Sequence, residues 1–223
     1  MKISTFAKRT ALIVGLATAG LSQAQDIKLG FNGDLSASPS AQSGKAGVIG
    51  IQAAIDDINA AGGVLGKKLT LVIRDDQSQP PKSIQNMSDL IDNEKVAAVF
   101  GPTNSGNALA WKHIPNQKKV ISMGMIGSGT DITKPTAAGA DNYMFRISMV
   151  DREQVAGLVA YAARGGNKKI GLMGETTGYG QGGLKDLEEI AKLHGITPLA
   201  TEKFGVADTD MTSQLNKMKS AGV

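Results

Sequence analysis

The sequence predicts an α/β fold built on a parallel, doubly wound sheet. From Asp26 onward, short runs of strand-forming residues alternate strictly with helical patterns. Such alternation is typical of strands that are joined by crossover helices and therefore pair in parallel. No internal repeat or low-complexity tract interrupts the alternation. The candidate strands are Ile27–Phe31, Leu69–Arg74, Val96–Phe100, Lys119–Met123, Tyr143–Ile147, Lys169–Met173 and Thr197–Phe204.

The helical patterns carry apolar residues at spacings of three and four. The first predicted helix, Lys45–Ala60, stops at a glycine pair, and the second, Pro80–Asn93, has proline in its first turn. Later helices are predicted to begin at Ser105, Asp151, Gly180 and Thr209. The residues predicted to face inward are Val48, Ile51, Ile55 and Ile58 in the first helix, and Ile84, Met87, Leu90 and Ile91 in the second.

The first 24 residues are predicted to be a signal peptide. Lys2, Lys8 and Arg9 form a basic start, and the apolar run Ala11–Leu21 is well short of the roughly 20 residues that span a membrane. Small residues before Ala24 place the cleavage there. We therefore expect an exported protein. The chain has no cysteine for a lipid anchor, so we expect a periplasmic location behind an outer membrane.

Charge and composition exclude several classes of function. The chain has a net charge of +4, and three basic residues leave with the signal peptide, so the remainder is nearly neutral. Because basic residues do not cluster with aromatic ones, we expect no nucleic-acid partner. The absence of cysteine excludes thiol catalysis and cysteine-ligated metals, and we expect neither a cofactor nor a metal.

A boundary between two lobes is predicted near residues 148–151, where Arg146-Ile147 leads into a new helix. Residues 25–147 would then form the first lobe and residues 148–223 the first part of the second. After the last helical pattern, Gly222-Val223 resembles the entry to a further strand. We therefore expect the sequence to be a fragment whose second lobe is incomplete.

Ligands of open parallel sheets bind at the carboxyl ends of the strands, near the point where the strand order reverses. Most loops at these ends are rich in glycine, serine, threonine and asparagine, which either cap helices or bring backbone N–H groups to a ligand. Several such loops on one sheet edge favour a shared pocket. The loops are Asn32–Gly44, Asp75–Gln79, Gly101–Ser105, Gly124–Thr130 and Gly174–Gly180.

Enzymatic alternatives have weaker support from the sequence. No loop matches a phosphate loop, and His113 and His194 lie on separate predicted helices, as surface and helix-end residues. Gly178, Gly180 and Gly183 fit a dinucleotide fingerprint, which leaves a nucleotide-dependent oxidoreductase as an alternative. That spacing alone is unspecific, and an exported protein would rarely meet free dinucleotide.

At these loops the sequence resembles the branched-chain amino-acid type of periplasmic binding protein, which is Leu/Ile/Val-binding-protein-like, from Asp26 to the end. The resemblance implies a type I periplasmic binding protein fold, with two doubly wound parallel-sheet lobes joined by a hinge. The segments that carry the resemblance are DIKLGFNGDLSASPSAQSG, IDDINAAGGVLGKKLTLVIRDDQSQP, VAAVFGPTNSG, GMIGSGTDIT, YMFRISMVDREQ and GETTGYGQGG.

The resemblance also implies the function and the partners. A soluble, monomeric receptor would close on an amino acid or a similar carboxylate-bearing solute. It would then deliver the solute to a membrane-embedded ABC permease with its ATPase, without catalysis. A periplasmic ligand sensor of the same fold is the alternative that the sequence leaves open. The acidic residue that pairs with the ligand ammonium is expected from beyond the end of this sequence.

The resemblance assigns site residues one by one. Ser105 matches the hydroxyl position that holds the ligand carboxylate at a helix N-terminus, and Tyr179 matches the tyrosine that covers the ligand on closure. Ser128 matches the position whose carbonyl and hydroxyl oxygens face the ligand ammonium. The remaining predicted contacts are Ile126, Gly127 and Thr130 in the same loop, and Ser43, which replaces the aromatic residue often found in amino-acid binders.

Overall fold

The computed structural model of the chain describes residues 25–223, so the predicted signal peptide lies outside the described residues. The strands of the first sheet are β1 (Ile27–Gly33), β2 (Leu69–Asp75), β3 (Ala98–Phe100), β4 (Ile121–Gly124) and β5 (Met144–Arg146). All are parallel, in the order β2-β1-β3-β4-β5. The strand order therefore reverses between β1 and β3, and a ligand crevice is expected beyond their carboxyl ends.

A second, two-stranded parallel sheet is formed by β6 (Gly171–Glu175) and β7 (Ala200–Phe204). The helices are α1 (Ala41–Ala60), α2 (Pro80–Ser88), α3 (Ser105–Trp111), α4 (His113–Lys118), α5 (Asp151–Arg164), α6 (Gly178–Leu193) and α7 (Thr212–Ser220). A π-helical turn over Asp89–Asn93 continues α2, and a 3₁₀ turn covers Thr130–Ile132. No helix among residues 25–223 is both long and apolar enough to cross a membrane.

All seven predicted strands form, in the predicted order, which confirms the α/β class. The helix boundaries differ more. The first helix begins at Ala41 rather than Lys45, because the Ala41 N–H donates to the Ser38 carbonyl at 2.9 Å and the turn runs directly into the helix. The last helix begins at Thr212 rather than Thr209.

The predicted inward face of the first helix was wrong in part. Ile55 is 2% exposed, but Ile58 is 39% exposed. Helix α1 packs on β1 and on β2, and β2 is an edge strand, so the sheet covers only part of the predicted stripe. In the second helix Met87, Leu90 and Ile91 are buried as predicted.

Each sheet has its own hydrophobic core. The core beside the first sheet is built around Trp111, whose indole N–H donates to Ser83 Oγ at 3.0 Å and so leaves no polar atom unpaired on the ring. Met87, Leu90 and Val99 pack in the same cluster. The core beside the second sheet is smaller, and its buried members are Val159, Ile190, Ala191 and Ile196.

Candidate functional site

A cavity of about 720 Å³ lies between the carboxyl ends of the two sheets. From the first sheet it receives the loop after β1, the loop after β3 and the loop after β4, and from the second sheet the loop after β6 and the start of α6. Its position beside β1 and β3 is the one that the reversal of strand order predicts. The lining residues are Ser38, Pro39, Ser40, Ser78, Pro80, Thr103, Asn104, Ser105, Gly106, Asn107, Ile126, Gly127, Ser128, Glu175, Thr177, Gly178, Tyr179 and Val206.

Five of the seven predicted site residues line this cavity, namely Ser105, Ile126, Gly127, Ser128 and Tyr179. The other two do not. Ser43 is exposed on α1, outside the lining. The Thr130 hydroxyl donates to the Asp186 carboxylate at 2.5 Å and accepts from the Arg152 N–H at 3.0 Å, so this residue joins the loop after β4 to α5 and α6. The placement of Ser43 and Thr130 therefore argues against direct ligand contact.

The loop after β3 is held by hydrogen bonds that leave donors free for a ligand. The Asn104 side chain caps α3 by accepting from the Asn107 N–H at 2.9 Å. Ser105, which is 1% exposed, accepts the Gly129 N–H at 3.0 Å, so its hydroxyl proton remains available. The backbone N–H groups of Ser105 and Gly106 lie in the first helical turn, where no intrahelical acceptor exists.

The N-termini of α3 and α6 meet across the cavity. A Cβ atom built on Gly178 would lie 2.8 Å from the Gly106 Cα, closer than a carbon contact allows. The absence of a side chain at Gly178 therefore permits this approach. Helix N-termini carry partial positive charge and unpaired N–H groups, so the meeting point favours an anion.

The backbone of the loop after β4 is occupied differently from the prediction. The Ser128 carbonyl accepts from Arg146 Nη1 at 2.8 Å and from the Asp151 N–H at 2.9 Å. The neighbouring Gly127 carbonyl accepts from the Ser148 hydroxyl at 2.9 Å. A carbonyl oxygen has two lone pairs, so the Ser128 carbonyl has none left for a ligand ammonium. The hydrogen bonds from the crossover between β5 and α5 therefore argue against a contact between this carbonyl and the ammonium.

The second sheet contributes an aromatic ring and a carboxylate to the cavity. Tyr179, 49% exposed, lies in the first turn of α6, and Glu175 ends β6 and accepts a hydrogen bond from the Thr177 hydroxyl. Burial raises the pKa of the Tyr179 hydroxyl, and the negative charges of Asp151 and Glu175 raise it further. The second sheet therefore presents one ring and one carboxylate side chain to the cavity.

A buried carboxylate near the first sheet was not identified as functional from the sequence. Asp34 is fully buried directly after β1, with Ser38 and Ser78 donating to its Oδ2. Burial raises the pKa of this carboxyl, but hydrogen bonds from Ser38, Ala37, Ser36 and Ser78 outweigh burial and hold the pKa well below its usual range. Asp34 is therefore ionised at neutral pH. The signal in the sequence was the run of serines that follows it.

A second buried carboxylate holds the elements beside the cavity in place. Asp76 Oδ2 accepts from Asn107 Nδ2 at 2.7 Å and from Ser83 Oγ at 2.8 Å. Burial raises the pKa of this carboxyl, and the hydrogen bonds from Asn107 and Ser83 offset only part of that rise. The network joins α2, α3 and the loop after β2, so it fixes the position of the cavity floor.

Other site types have little support among residues 25–223. No group of three or more histidine and carboxylate side chains in this range is arranged to hold a metal ion. The glycines of the dinucleotide fingerprint open α6, where Gly180 packs on the end of β6: a Cβ atom there would lie 2.1 Å from the Glu175 carbonyl oxygen. Gly178 meets Gly106 across the cavity, so both glycines have a packing role in this fold.

The sequence profile described as periplasmic binding protein matches residues 26–223, which is nearly all of the described chain. The chain belongs to this family. The family is one of solute-binding proteins.

Curated relatives of this periplasmic binding protein carry the names of amino-acid-binding proteins. The chain is 26% identical over 213 residues to the Leu/Ile/Val-binding protein BraC3 of Rhizobium johnstonii, covering 95% of this chain and 56% of the relative. It is 30% identical over 222 residues to Leu/Ile/Val-binding protein homolog 7 of Brucella abortus, covering 95% and 54%. The chain thus spans little more than half the length of these relatives.

Solved structures confirm the type I fold. A periplasmic binding protein type 1 from Bordetella pertussis superposes with a TM-score of 0.77 at 27% identity, covering 89% of this chain and 54% of the other. The branched-chain amino-acid transporter substrate-binding protein LivJ of Streptococcus pneumoniae, solved with isoleucine, gives a TM-score of 0.71 at 31% identity, covering 87% and 54%.

Proposed function

We propose that the protein is a periplasmic solute-binding protein that captures an amino acid or similar carboxylate-bearing solute and delivers it to an ABC importer. The observation that carries the proposal is the cavity between the two sheets, where the N-termini of α3 and α6 face each other across a polar wall. The names of the curated relatives support the ligand class, and the family supports the coupling to transport.

The ligand carboxylate would bind at the meeting point of the two helices. The hydroxyl of Ser105 and the first-turn N–H groups of Ser105 and Gly106 would donate to it from the first sheet. Gly178 and Tyr179 offer first-turn N–H groups from the second sheet. A hydrogen bond to a charged group contributes about 1.5–3 kcal/mol, so two or three of them would dominate the binding free energy.

The ligand ammonium would bind at Glu175. This carboxylate lines the cavity, and only the Thr177 hydroxyl donates to its side chain among the described residues. The sequence analysis expected the acidic partner from beyond the end of this chain, whereas Glu175 already places one on the second sheet. Ser128 would contribute through its hydroxyl, because its carbonyl is bonded to Arg146 and Asp151.

Closure of the two lobes would bring the ligand-binding residues of both lobes together around the ligand. In this proposal residues 25–147 are the first lobe and residues 148–223 belong to the second, with a hinge segment near 148–151, between β5 and α5. Contacts to Glu175 and Tyr179 exist only when the lobes approach, so the ligand binds the closed form more tightly and shifts the population toward it. The permease and its ATPase would recognise that form of the monomer. The cavity lining contains no histidine, lysine or cysteine, so we propose binding without turnover.

The test uses the protein that carries this sequence at its full natural length. A panel of amino acids and small carboxylates is screened by thermal shift, and the hits are measured by isothermal titration calorimetry. Ser105→Ala should weaken binding about tenfold, the value of one charged hydrogen bond. Ser43→Ala is the matched control, since Ser43 is exposed and outside the cavity. Equal affinities for wild type and Ser105→Ala would remove Ser105 from the site, and no hit in the panel would overturn the proposal.

A further inference from the structure

Asp151 is a buried carboxylate with one oxygen that no group of the described chain satisfies. It is the first residue of α5 and is 4% exposed. Gln154 Nε2 approaches its Oδ1 at 3.4 Å, a long and weak hydrogen bond, and its Oδ2 has no hydrogen-bond partner among residues 25–223. A buried acceptor without a partner is rare in folded proteins, because it loses its hydrogen bonds to water without replacement. Asp151 Oδ2 therefore points to a donor that comes from a ligand.

Asp151 lies next to the cavity between the two sheets. It lines a smaller cavity of about 230 Å³, and Glu175 and Tyr179 line both this smaller cavity and the larger one. The backbone N–H of Asp151 donates to the Ser128 carbonyl at 2.9 Å, and Ser128 also lines the larger cavity. Residues of the loop after β4 and of the start of α6 therefore border both Asp151 and the proposed ligand site.

The arginines on either side of Asp151 in the sequence pair with other groups. Arg146 directs its guanidinium N–H groups to oxygen atoms of residues 128–133. Arg152 pairs with Asp186 at 3.2 Å, and neither arginine forms an ion pair with Asp151. In the described part of the chain, no lysine, arginine or histidine lines the smaller or the larger cavity. The protein therefore places a carboxylate beside the ligand site without a cation to compensate it.

The electrostatic surroundings of Asp151 agree with this reading. Burial raises the pKa of the Asp151 carboxyl, because the charged form loses solvation. The neighbouring Ser128 hydroxyl lowers this pKa in part, but it does not form a hydrogen bond to Oδ2. A positively charged group with N–H donors would supply both the hydrogen bond and the compensating charge.

We propose that Asp151 Oδ2 accepts a hydrogen bond from the ligand ammonium, together with Glu175, so that the protein selects amino acids over carboxylic acids that lack the amino group. This inference rests on the proposed function and narrows its ligand class. An ammonium group carries three N–H donors, so it can bind two carboxylates at once. The Ser128 carbonyl, which was predicted to face the ammonium, accepts the N–H of Asp151 instead. The crossover that occupies this carbonyl thus brings a carboxylate to the same place.

Apolar side chains make up much of the smaller cavity around Asp151. They are Val155, Met173, Leu184, Leu187 and Phe204. Opposite charges attract more strongly beside apolar groups than in water, because the effective dielectric constant is lower there. A hydrogen bond between Asp151 and the ammonium should therefore change the affinity by about tenfold or more.

The test compares amino acids with their deaminated counterparts on the protein of full natural length. L-leucine, L-phenylalanine and L-glutamate are each titrated beside the carboxylic acid with the same carbon skeleton, which lacks only the amino group. The amino-group preference is the ratio of the two affinities, measured by calorimetry. The wild type should show a preference of about 100-fold for the amino acids that it binds, because two charged hydrogen bonds are lost with the amino group.

Asp151→Asn should lower the amino-group preference about tenfold, because the amide keeps the size of the side chain but removes its charge. Affinity for the deaminated acids should stay unchanged. The preference is a ratio within one variant, so a general loss of stability does not imitate the result. Glu153→Gln is the matched control, since Glu153 is exposed in the first turn of the same helix and lies outside both cavities. It should keep the preference of the wild type.

Glu175→Gln tests the same assignment without a change at Asp151. This variant should retain a preference of about tenfold, because Asp151 still accepts from the ammonium. The double variant, Asp151→Asn with Glu175→Gln, should bind amino acids and deaminated acids equally. Loss of the whole preference in Glu175→Gln alone would assign the ammonium to Glu175 only and would overturn the inference.

The outcomes distinguish this inference from the proposed function. If the wild type binds the deaminated acids as tightly as the amino acids, or if Asp151→Asn leaves the preference intact, Asp151 does not bind an ammonium and the inference is refuted. The receptor proposal would still hold in that case, provided that Ser105→Ala weakens binding through the carboxylate that both kinds of acid share. If neither kind of acid binds, the proposed function fails and this inference fails with it.

Discussion

Gly178→Ala should weaken ligand binding without weakening the fold. The added Cβ would lie 2.8 Å from the Gly106 Cα and 3.3 Å from the Gly106 backbone nitrogen. Carbon atoms in contact are about 3.5–4.0 Å apart, so the N-termini of α3 and α6 would have to separate by about 1 Å. Both atoms belong to the backbone, which cannot turn away as the end of a long side chain can.

We expect the separation to act on the closed, ligand-bound form, in which α3 and α6 lie against each other. Overpacking of this size costs about 1–3 kcal/mol, which corresponds to a loss in affinity of about 5- to 150-fold. Gly178 is the first residue of α6 and its backbone torsions are accessible to alanine, so the open state should be unaffected or slightly more stable. The melting temperature of the ligand-free protein should therefore match that of wild type.

Gly106→Ala is the matched control from the other side of the same contact. A Cβ atom on Gly106 would lie 3.6 Å from the Gly178 nitrogen, an ordinary van der Waals distance. Calorimetric titration with the best ligand, together with small-angle X-ray scattering with and without that ligand, measures affinity and closure for both variants. Equal affinities for wild type and Gly178→Ala would refute the role of this contact in the bound state.

Two further predictions concern stability. Gly44→Ala should destabilise the protein by about 1–3 kcal/mol, because the new Cβ would lie 2.0 Å from the Asp34 carbonyl oxygen. Gly50→Ala in the same helix places its Cβ more than 4 Å from any neighbour and should stabilise the protein by about 0.5–1 kcal/mol. Denaturant midpoints measure both effects, and equal shifts would contradict the packing argument. The depressed pKa of Asp34 contributes stability that is fully present above the ordinary aspartate pKa of about 3.9 and is lost as the pH falls through the lower folded-state value. The stability difference between wild type and Asp34→Asn should therefore be largest at pH 7 and shrink with acidification, and a constant difference would show that Asp34 does not titrate as described.

The local spacing of apolar residues was sufficient to predict where the strands form, but not which helix residues are buried. The seven strands form where the apolar runs predicted them, because a strand of a parallel sheet must be apolar along its length. Ile58 is the counterexample on the first helix: the spacing is correct, but α1 lies at the sheet edge and this residue stays 39% exposed. The spacing of a helix tells which residues share a face, whereas the sheet position of its neighbours decides how much of that face is covered.

The site was predicted to the level of loops and several residues. The strand order places the loops after β1 and β3 beside one crevice, so Ser105 could be assigned to the cavity from the sequence pattern and the family resemblance. Thr130 could not be assigned correctly, since its bond to Asp186 joins positions 56 residues apart. Asp34 was not predicted as a site residue, because one of its hydrogen bonds comes from Ser78, which lies 44 residues away in the sequence.

The sequence by itself determined the α/β class, the strands in order and the loops that border the cavity, because these depend on short-range periodicity and on the rule that parallel strands end at one edge. The tertiary structure decided which oxygens and N–H groups remain free there. The Ser128 carbonyl accepts from Arg146, and Asp34 accepts from the hydroxyl groups of Ser38 and Ser78. Each hydrogen-bonding atom has a fixed capacity, and only the fold brings together the distant partners that use it.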